Sequence, residues 1–489
     1  MKTRFAPSPT GFLHIGGFRT ALFAYLYAKK NGGDFLIRIE DTDRERLVEG
    51  GIDNILTSIY WAGIVPDEGV LIENNQVIQK GINGPYIQSE RLDIYKKYIS
   101  VLLDKGYAYH CFCSKDRLDK LRITQEKNKM PPGYDGYCKN LSLDEVKKKK
   151  NEEKFVIRLN VPRNETIVVN DLVRGEVKFD TNLIDDQVLI KSDGFPTYHF
   201  AVVVDDHLMG VTDVIRGEEW LSSTPKSIIL YKYFGWELPK YAHLPLLVNE
   251  QKLKLSKRHG DVSVFDFKEK GYLPDSLVNF VAFLGWNPGD EREIFSLREL
   301  EQEFDLSKVG KSAAVFNIDK LDWVNGQYIK KMSNTQLGHA VLPFLNNSGL
   351  INSMDVDEAL LVSLVEMFKD RMSKLSDIVE FSGFIFANFL EYDPNLLIWK
   401  KSDLETTKKN LKSLLDYIDE FEVRYWNTDW LQGKIQDWIK NKNYTVGEIL
   451  WPMRVALSGQ KNSPGPFEIA NILGKEKTME RIRYAISSL

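Results

Sequence analysis

Lys2-Thr3-Arg4-Phe5-Ala6-Pro7-Ser8-Pro9-Thr10-Gly11-Phe12-Leu13-His14-Ile15-Gly16-Gly17 begins as a short strand, Lys2 to Ala6, and breaks into a loop rich in proline, glycine, serine and threonine. Phe18, Ala21, Leu22, Tyr25 and Leu26 then recur at helical spacing until Gly32-Gly33 stops them, which predicts a helix from about Gly17. The run Phe35-Leu36-Ile37-Arg38-Ile39 is nearly continuous in apolar residues, as a strand of a buried parallel sheet requires. Glu40-Asp41-Thr42-Asp43 stands just beyond its carboxyl end. Strand, glycine-containing loop, helix and strand in this order predict an α/β fold on a Rossmann-type parallel sheet, whose ligands bind at the carboxyl edge.

Downstream, residues 96–196 change character: helices, the lysine run 147–150, then short strands at 155–159, 166–169 and 188–190. This reads as an α+β module inserted into the sheet domain. Asp213-Val214-Ile215-Arg216 resumes the sheet and a helix follows to about Phe234, with Thr224 as candidate N-cap and Pro225 at the first helical position. Beyond Asp319 helical patterns take over. Leu361, Leu364, Val365 and Phe368 share one helix face, and Met479, Ile482, Ala485 and Ile486 form another stripe from which Glu480, Arg481 and Arg483 are expected to face away. The expected division is 1–95 with 197–251 as the Rossmann domain, 96–196 as the insertion, 252–332 as a further domain, and 333–489 as an all-helical region.

The chain has 489 residues, 43% of them hydrophobic, enough for about three to four packed domains. Its net charge of -4 gives no long-range attraction to phosphate, so nucleic-acid contact must come from local basic surfaces. No stretch reaches membrane-spanning length and the start lacks an uninterrupted apolar segment, so a cytoplasmic protein with no membrane partner is expected. Cys111, Cys113 and Cys138 are too few and too close together for a disulfide framework, and point instead to metal.

Two strings carry chemistry. In the first, His14-Ile15-Gly16-Gly17 opens a helix whose amides and dipole favour phosphate, and its glycines let a nucleotide approach the backbone. In the second, Lys254-Leu255-Ser256-Lys257-Arg258 supplies a basic loop able to hold charge that builds on a pyrophosphate leaving group, with Lys257 the candidate for that role. In isolation each string fits an ordinary solvated turn.

Together, on either side of an insertion in a split α/β sheet, they resemble the signature pair of class I aminoacyl-tRNA synthetases. Arg4 to Gly11, Ile39-Glu40-Asp41-Thr42-Asp43, Tyr198-His199-Phe200, Val204-Asp205-Asp206-His207 and Val214-Ile215-Arg216-Gly217-Glu218-Glu219-Trp220 extend the resemblance, specifically to glutamyl-tRNA synthetases, over essentially the whole chain. The resemblance implies ATP with Mg2+, L-glutamate and tRNA(Glu), or also tRNA(Gln), as partners of a monomer, with bound tRNA needed for the first step. It also implies a tRNA acceptor-binding role for the insertion, stem contacts for 252–332 and anticodon binding for the helical region. It places Arg4, Ala6, Ser8, Glu40, Tyr198 and Arg216 around glutamate, and His14, Gly16, Gly17, Glu219, Trp220, Lys254, Ser256, Lys257 and Arg258 around ATP, with His14, Lys254 and Lys257 catalytic. Glu40 suits an ammonium, and Arg4 and Arg216 suit carboxylates. Val202 stands where some members carry an asparagine. Asp205-Asp206-His207 is only a positional candidate for metal.

Three thiolates leave zinc one ligand short. Many bacterial relatives supply a histidine two positions after the third cysteine, here Asn140, whereas those with a Tyr-x-x-x-Cys arrangement make Tyr134 the partner of Cys111, Cys113 and Cys138 for a structural Zn2+; three unpaired thiols are the alternative. Trp426, Trp430, Trp438 and Trp451 sit among basic residues, and Trp451 to Gly459 resembles the family's anticodon cage, although most of these rings are expected in the core. Glutaminyl-tRNA synthetases are the enzymatic alternative. They typically read Pro-Pro-Glu-Pro-Asn-Gly where this chain has Ala6 to Gly11, and end in β-barrels. A catalytically silent tRNA-binding paralogue is the other alternative, and would have no physical need of both loops and the substrate arginines.

Overall fold

In the computed structural model residues 1–255, 263–354, 356–400 and 402–489 are described. Strands β1 (Lys2–Phe5) and β2 (Asp34–Ile37) bracket the helix Ile15–Lys30, and β3 (Glu68–Glu73) with β4 (Gln76–Lys80) forms an antiparallel hairpin. The middle of the chain adds β5 (Ala108–Cys111), β6 (Val156–Leu159), β7 (Thr166–Asp171), β8 (Gly175–Asp180) and β9 (Val188–Ile190). Then come β10 (Asp213–Gly217), β11 (Lys240–Leu244), β12 (Leu247–Val248) and β13 (Ala314–Val315).

The main sheet runs β4-β3-β2-β1-β10-β11-β7-β8. Its six inner strands pair in parallel and the two edge strands are antiparallel. Phe35, Leu36 and Ile37 are fully buried because helices cover such a sheet, and Phe18, Ala21, Leu22 and Leu26 of the helix Ile15–Lys30 supply the cover. From β1 the chain moves outward to β2 and β3, and later returns to the other side of β1 as β10 and β11. The crevice at the carboxyl ends of β1 and β10 is therefore the point where the winding reverses, where open α/β sheets bind ligands.

Four local expectations are corrected. The helix begins at Ile15, two residues before Gly17, because His14 is its N-cap and its Nδ1 accepts the Gly16 amide at 3.0 Å. Thr224 is not an N-cap: Ser223 holds that position, and the Thr224 hydroxyl is drawn to Arg216 and the Trp220 carbonyl instead. Only β5, β6 and β9 form the separate antiparallel sheet of the insertion, while β7 and β8 extend the main sheet. There the alternation of Ile167, Val169 and Asp171 gives β7 one buried face, and the Leu172 amide donates to the Tyr241 carbonyl at 2.8 Å. Finally, Arg481 does not face away from its helix stripe.

The chain divides into two compact units, residues 1–269 with 274–321, and residues 270–273 with 322–489. The second is helical. Leu361, Leu364, Val365 and Phe368 are all buried in one core with Met479, Ile482 and Ala485. Arg481 joins them because it stands three residues after buried Thr478 and four before Ala485, on the inner face. There it donates to the carbonyls of Leu457, Phe384 and Ala387 at 2.5, 2.7 and 2.9 Å, closing helix ends that lack their own partners. Trp438 is buried, and Trp426 and Trp451 donate their indole N–H to the carbonyls of Ala470 and Leu396 at 2.8 and 2.7 Å, so these rings serve the core. Among the described residues no helix is long and apolar enough to cross a membrane.

Candidate active site

A cavity of about 950 Å³ opens at the carboxyl ends of β1 and β10. β1 and its following loop bring Arg4, Ala6 and Ser8 to it, the residues after β2 bring Glu40, and the start of the helix Ile15–Lys30 brings Gly16 and Gly17. β10 and the turn after it add Arg216, Glu219 and Trp220, and Tyr198 opens the next wall. The insertion closes the rim with Val188, Lys191 and Pro196, and Lys191 donates to the Thr42 carbonyl at 3.1 Å. The loop after β1 is held to the end of β2 by two hydrogen bonds: the Ser8 hydroxyl donates to the Glu40 carbonyl at 2.6 Å, and the Glu40 amide to the Pro7 carbonyl at 2.9 Å. Gly217 leaves the space that the Glu219 carboxylate occupies, and a Cβ there would make that side chain swing away.

Beneath the cavity is a buried ionic network. Asp206 accepts from Arg4 Nε at 3.2 Å and from Arg38 at 2.8 Å, and Arg38 also donates to Glu40 at 3.0 Å. Asp205 accepts from Arg91 at 2.7 Å, Tyr95 at 2.8 Å and Gln88 at 2.9 Å. Burial pushes Glu40 up to about 7 against the pull of Arg38 and Arg4, whereas at Asp206 the burial penalty is outweighed by those two guanidiniums and its carboxyl stays below the usual carboxylate range. Arg216 is different. Its partners are Tyr198 Oη at 3.2 Å, Thr224 Oγ1 at 2.9 Å, the Trp220 carbonyl and His243 Nε2 at 3.1 Å, all neutral, so among the described residues this buried cation has no carboxylate contact. A buried charge without an ion pair is costly unless a ligand supplies the counter-charge.

In the insertion, the Sγ atoms of Cys111, Cys113 and Cys138 lie within 4.8 Å of one another. Tyr134 Oη is 3.4 Å from two of them and accepts the Cys138 amide at 2.9 Å.

Residues 1–323 match the class I tRNA synthetases (E and Q), catalytic domain, and residues 336–486 an anticodon binding domain. The chain is 45% identical to the glutamate–tRNA ligase of Finegoldia magna, over 100% of this chain and 99% of that one, and 46% identical to that of Clostridioides difficile over the same shares. A crystal structure of a glutamate tRNA ligase from Elizabethkingia meningosepticum superposes with a TM-score of 0.90 at 36% identity, covering 100% of this chain and 99% of that chain. The chain belongs to the glutamate–tRNA ligases.

For this class I synthetase the structure gathers Arg4, Ala6, Ser8, Gly16, Gly17, Glu40, Tyr198, Arg216, Glu219 and Trp220 at one cavity. His14 adjoins it as the helix cap: with Nδ1 accepting the Gly16 amide, its ring proton is on Nε2. Lys254 is exposed and bridges to Val248, away from the cavity lining, and Ser256, Lys257 and Arg258 lie outside the described residues. Val202 is buried in the helix Tyr198–Leu208. Asp205 and Asp206 are counter-ions of arginines and His207 stacks on Trp236 with ring centres 3.8 Å apart, so this string is structural and carries no metal set. Sequence reading missed Arg38, Arg91, Asp171 and His243. A charged residue in the apolar run 35–39, just past the end of β2, and another at the end of β7 were the available signal, because a charge in a buried segment must have a partner.

Proposed function

We propose that the chain ligates L-glutamate to tRNA(Glu) in two steps. The α-carboxylate of glutamate attacks the α-phosphate of Mg-ATP, forming glutamyl-adenylate and releasing pyrophosphate. A hydroxyl of the terminal ribose of tRNA then attacks the acyl carbon and AMP leaves. The observation that carries this reading is the pairing, in one cavity, of Glu40, whose carboxyl is raised to about 7, with Arg216, a buried cation that meets no carboxylate among the described residues. Glu40 takes the ammonium. Arg216, with Arg4 and Tyr198 beside it, takes carboxylate, and glutamine, which cannot neutralise the guanidinium, is rejected. Ala6 and Ser8 line the amino-acid end. Gly16 and Gly17 let the triphosphate approach the helix start, to which His14 donates from Nε2, and Glu219 and Trp220 stand on the nucleotide side. Lys254, Ser256, Lys257 and Arg258 hold the pyrophosphate. Positioning and charge stabilisation accomplish both steps without a protein nucleophile.

The three thiols and Tyr134 fit structural zinc. Ligands at about 2.3 Å in a tetrahedron place sulfurs about 3.8 Å apart, and Cys113 and Cys138 are at 3.6 Å. The Cys138 amide bonded to Tyr134 Oη stabilises the phenolate a fourth ligand must become. Zinc would pin the turn around Tyr134 to β5.

Charging assays with radiolabelled glutamate and glutamine on tRNA(Glu) and tRNA(Gln) test the activity. Glutamate is expected on tRNA(Glu); glutamine incorporation in its place, or no charging at all, would overturn the reading.

A further inference from the structure

Behind Arg216 a hydrogen-bond chain crosses three neighbouring strands, β7, β11 and β10. The Asp171 carboxylate is 2.6 Å from Nδ1 of His243, and His243 Nε2 is 3.1 Å from Nε of Arg216. All three side chains are buried. Chemistry fixes the direction of the chain: a guanidinium N–H can only donate, so Nε2 is the lone-pair acceptor and the single ring proton lies on Nδ1, facing Asp171. Burial lowers the imidazole's affinity for a second proton, with Asp171 acting against this and Arg216 with it, in keeping with a neutral ring. The other Asp171 oxygen accepts the amides of Val173, Arg174 and His243 at 3.0, 2.8 and 3.2 Å, so the carboxylate is clamped.

We propose that His243, oriented by Asp171, is a positioning residue that aims Arg216 at the substrate carboxylate and so sets the preference for glutamate over its uncharged amide. The contrast with Arg4 gives the reason. Asp206 pairs directly with Arg4, as it does with Arg38, so a protein carboxylate already faces that guanidinium, whereas a neutral imidazole fixes the Arg216 guanidinium in place without an ion pair. Thr224, whose Oγ1 also stands 3.1 Å from His243 Nε2, joins the cradle, accepting from Arg216 and donating to the Trp220 carbonyl. The charge therefore stays available to the cavity. This inference rests on the assignment of Arg216 to a substrate carboxylate.

Asp171→Asn is the decisive substitution. Its carbonyl oxygen can keep the three amide bonds, while its NH2 becomes a donor toward Nδ1 of His243. The ring proton then moves to Nε2 and meets the Nε–H of Arg216, donor against donor. Nitrogen-15 NMR of the full chain is expected to show the His243 proton on Nδ1 in the parent and on Nε2 in the variant. The glutamate KM should rise about ten- to a hundredfold, the effect of one lost charged hydrogen bond, with the ATP KM within about twofold and selectivity against glutamine falling in step. His243→Gln, whose side-chain oxygen can accept near the Nε2 position, should retain most of the selectivity that His243→Leu loses. Equal losses in those two variants, or a ring proton that stays on Nδ1 in Asp171→Asn, would overturn the proposal. So would an unchanged glutamate KM in Asp171→Asn after the proton has moved. Arg216→Gln separates the two levels: an unchanged glutamate KM there removes the underlying assignment, whereas a raised one beside an unaffected Asp171→Asn removes the positioning role alone.

Discussion

Glu40 makes glutamate capture depend on pH in the physiological range. Burial holds its carboxyl at about 7, despite Arg38 at 3.0 Å. An ammonium can pair only with the ionised form, so proton and substrate compete. The sign is fixed by the direction of the shift: the acid is raised, its anion is scarce below that value, and binding weakens as pH falls. Each pH unit below the pKa cuts the ionised fraction about tenfold, so the glutamate KM at pH 6 should be about tenfold its plateau above pH 8. An unshifted glutamate carboxyl would leave the KM flat over this range, its midpoint being about 4.3. The assay is pyrophosphate exchange with saturating ATP and tRNA, with glutamate varied at each pH from 6 to 8.5. Glutamate's own ammonium keeps its proton over most of this range, so the limb belongs to the protein. Glu40→Gln removes the titrating group and should raise the KM at pH 8 by about thirtyfold or more, the loss expected when one member of a buried charge pair is removed, while flattening the profile. A parent profile flat from pH 6 to 8, or the same limb in Glu40→Gln, would refute the reasoning.

Asp206→Asn leaves Arg4 and Arg38 short of a buried counter-ion, and chemical denaturation should show the sheet unit weakened by about 3–5 kcal/mol. Because the Asp206 pKa is lowered on folding, its stabilisation is complete above the unfolded value and is lost as pH falls through the folded one, so the variant should lack that part of the parent's acid limb. Metal analysis of purified protein should give one zinc per chain and none for Cys113→Ser; a metal-free parent would remove the site. Arg481→Met strands three carbonyls in the helical unit and should cost it about 2–4 kcal/mol in urea; an effect below about 0.5 kcal/mol would count against the capping role. Lys257→Ala should slow adenylate formation far more than it weakens glutamate binding, and equal activation rates in single-turnover assays would sink its assignment.

The order strand, glycine loop, helix, strand was legible because its signals are local: apolar runs mark buried strands, and periodicity with glycine stops marks helices. The placement of Glu40 beyond a strand end and of Gly16-Gly17 at a helix start followed from the same patterns. Nothing local placed β7 and β8 on the main sheet, because pairing partners distant in sequence leave no trace in either strand alone. Arg481 was misread for a related reason: helical periodicity gives its direction, but only the carbonyls that converge on it make burial of its charge tolerable. The sequence by itself determined the family of folds, the carboxyl-edge location of the site and the acid and arginines that surround it. Only tertiary structure decided how those charges are divided, since burial and ion pairing depend on neighbours brought from β2, β7, β10 and β11. That division leaves Arg4 sharing Asp206 with Arg38, the Glu40 carboxyl raised to about 7, and Arg216 held by His243 with no carboxylate contact among the described residues.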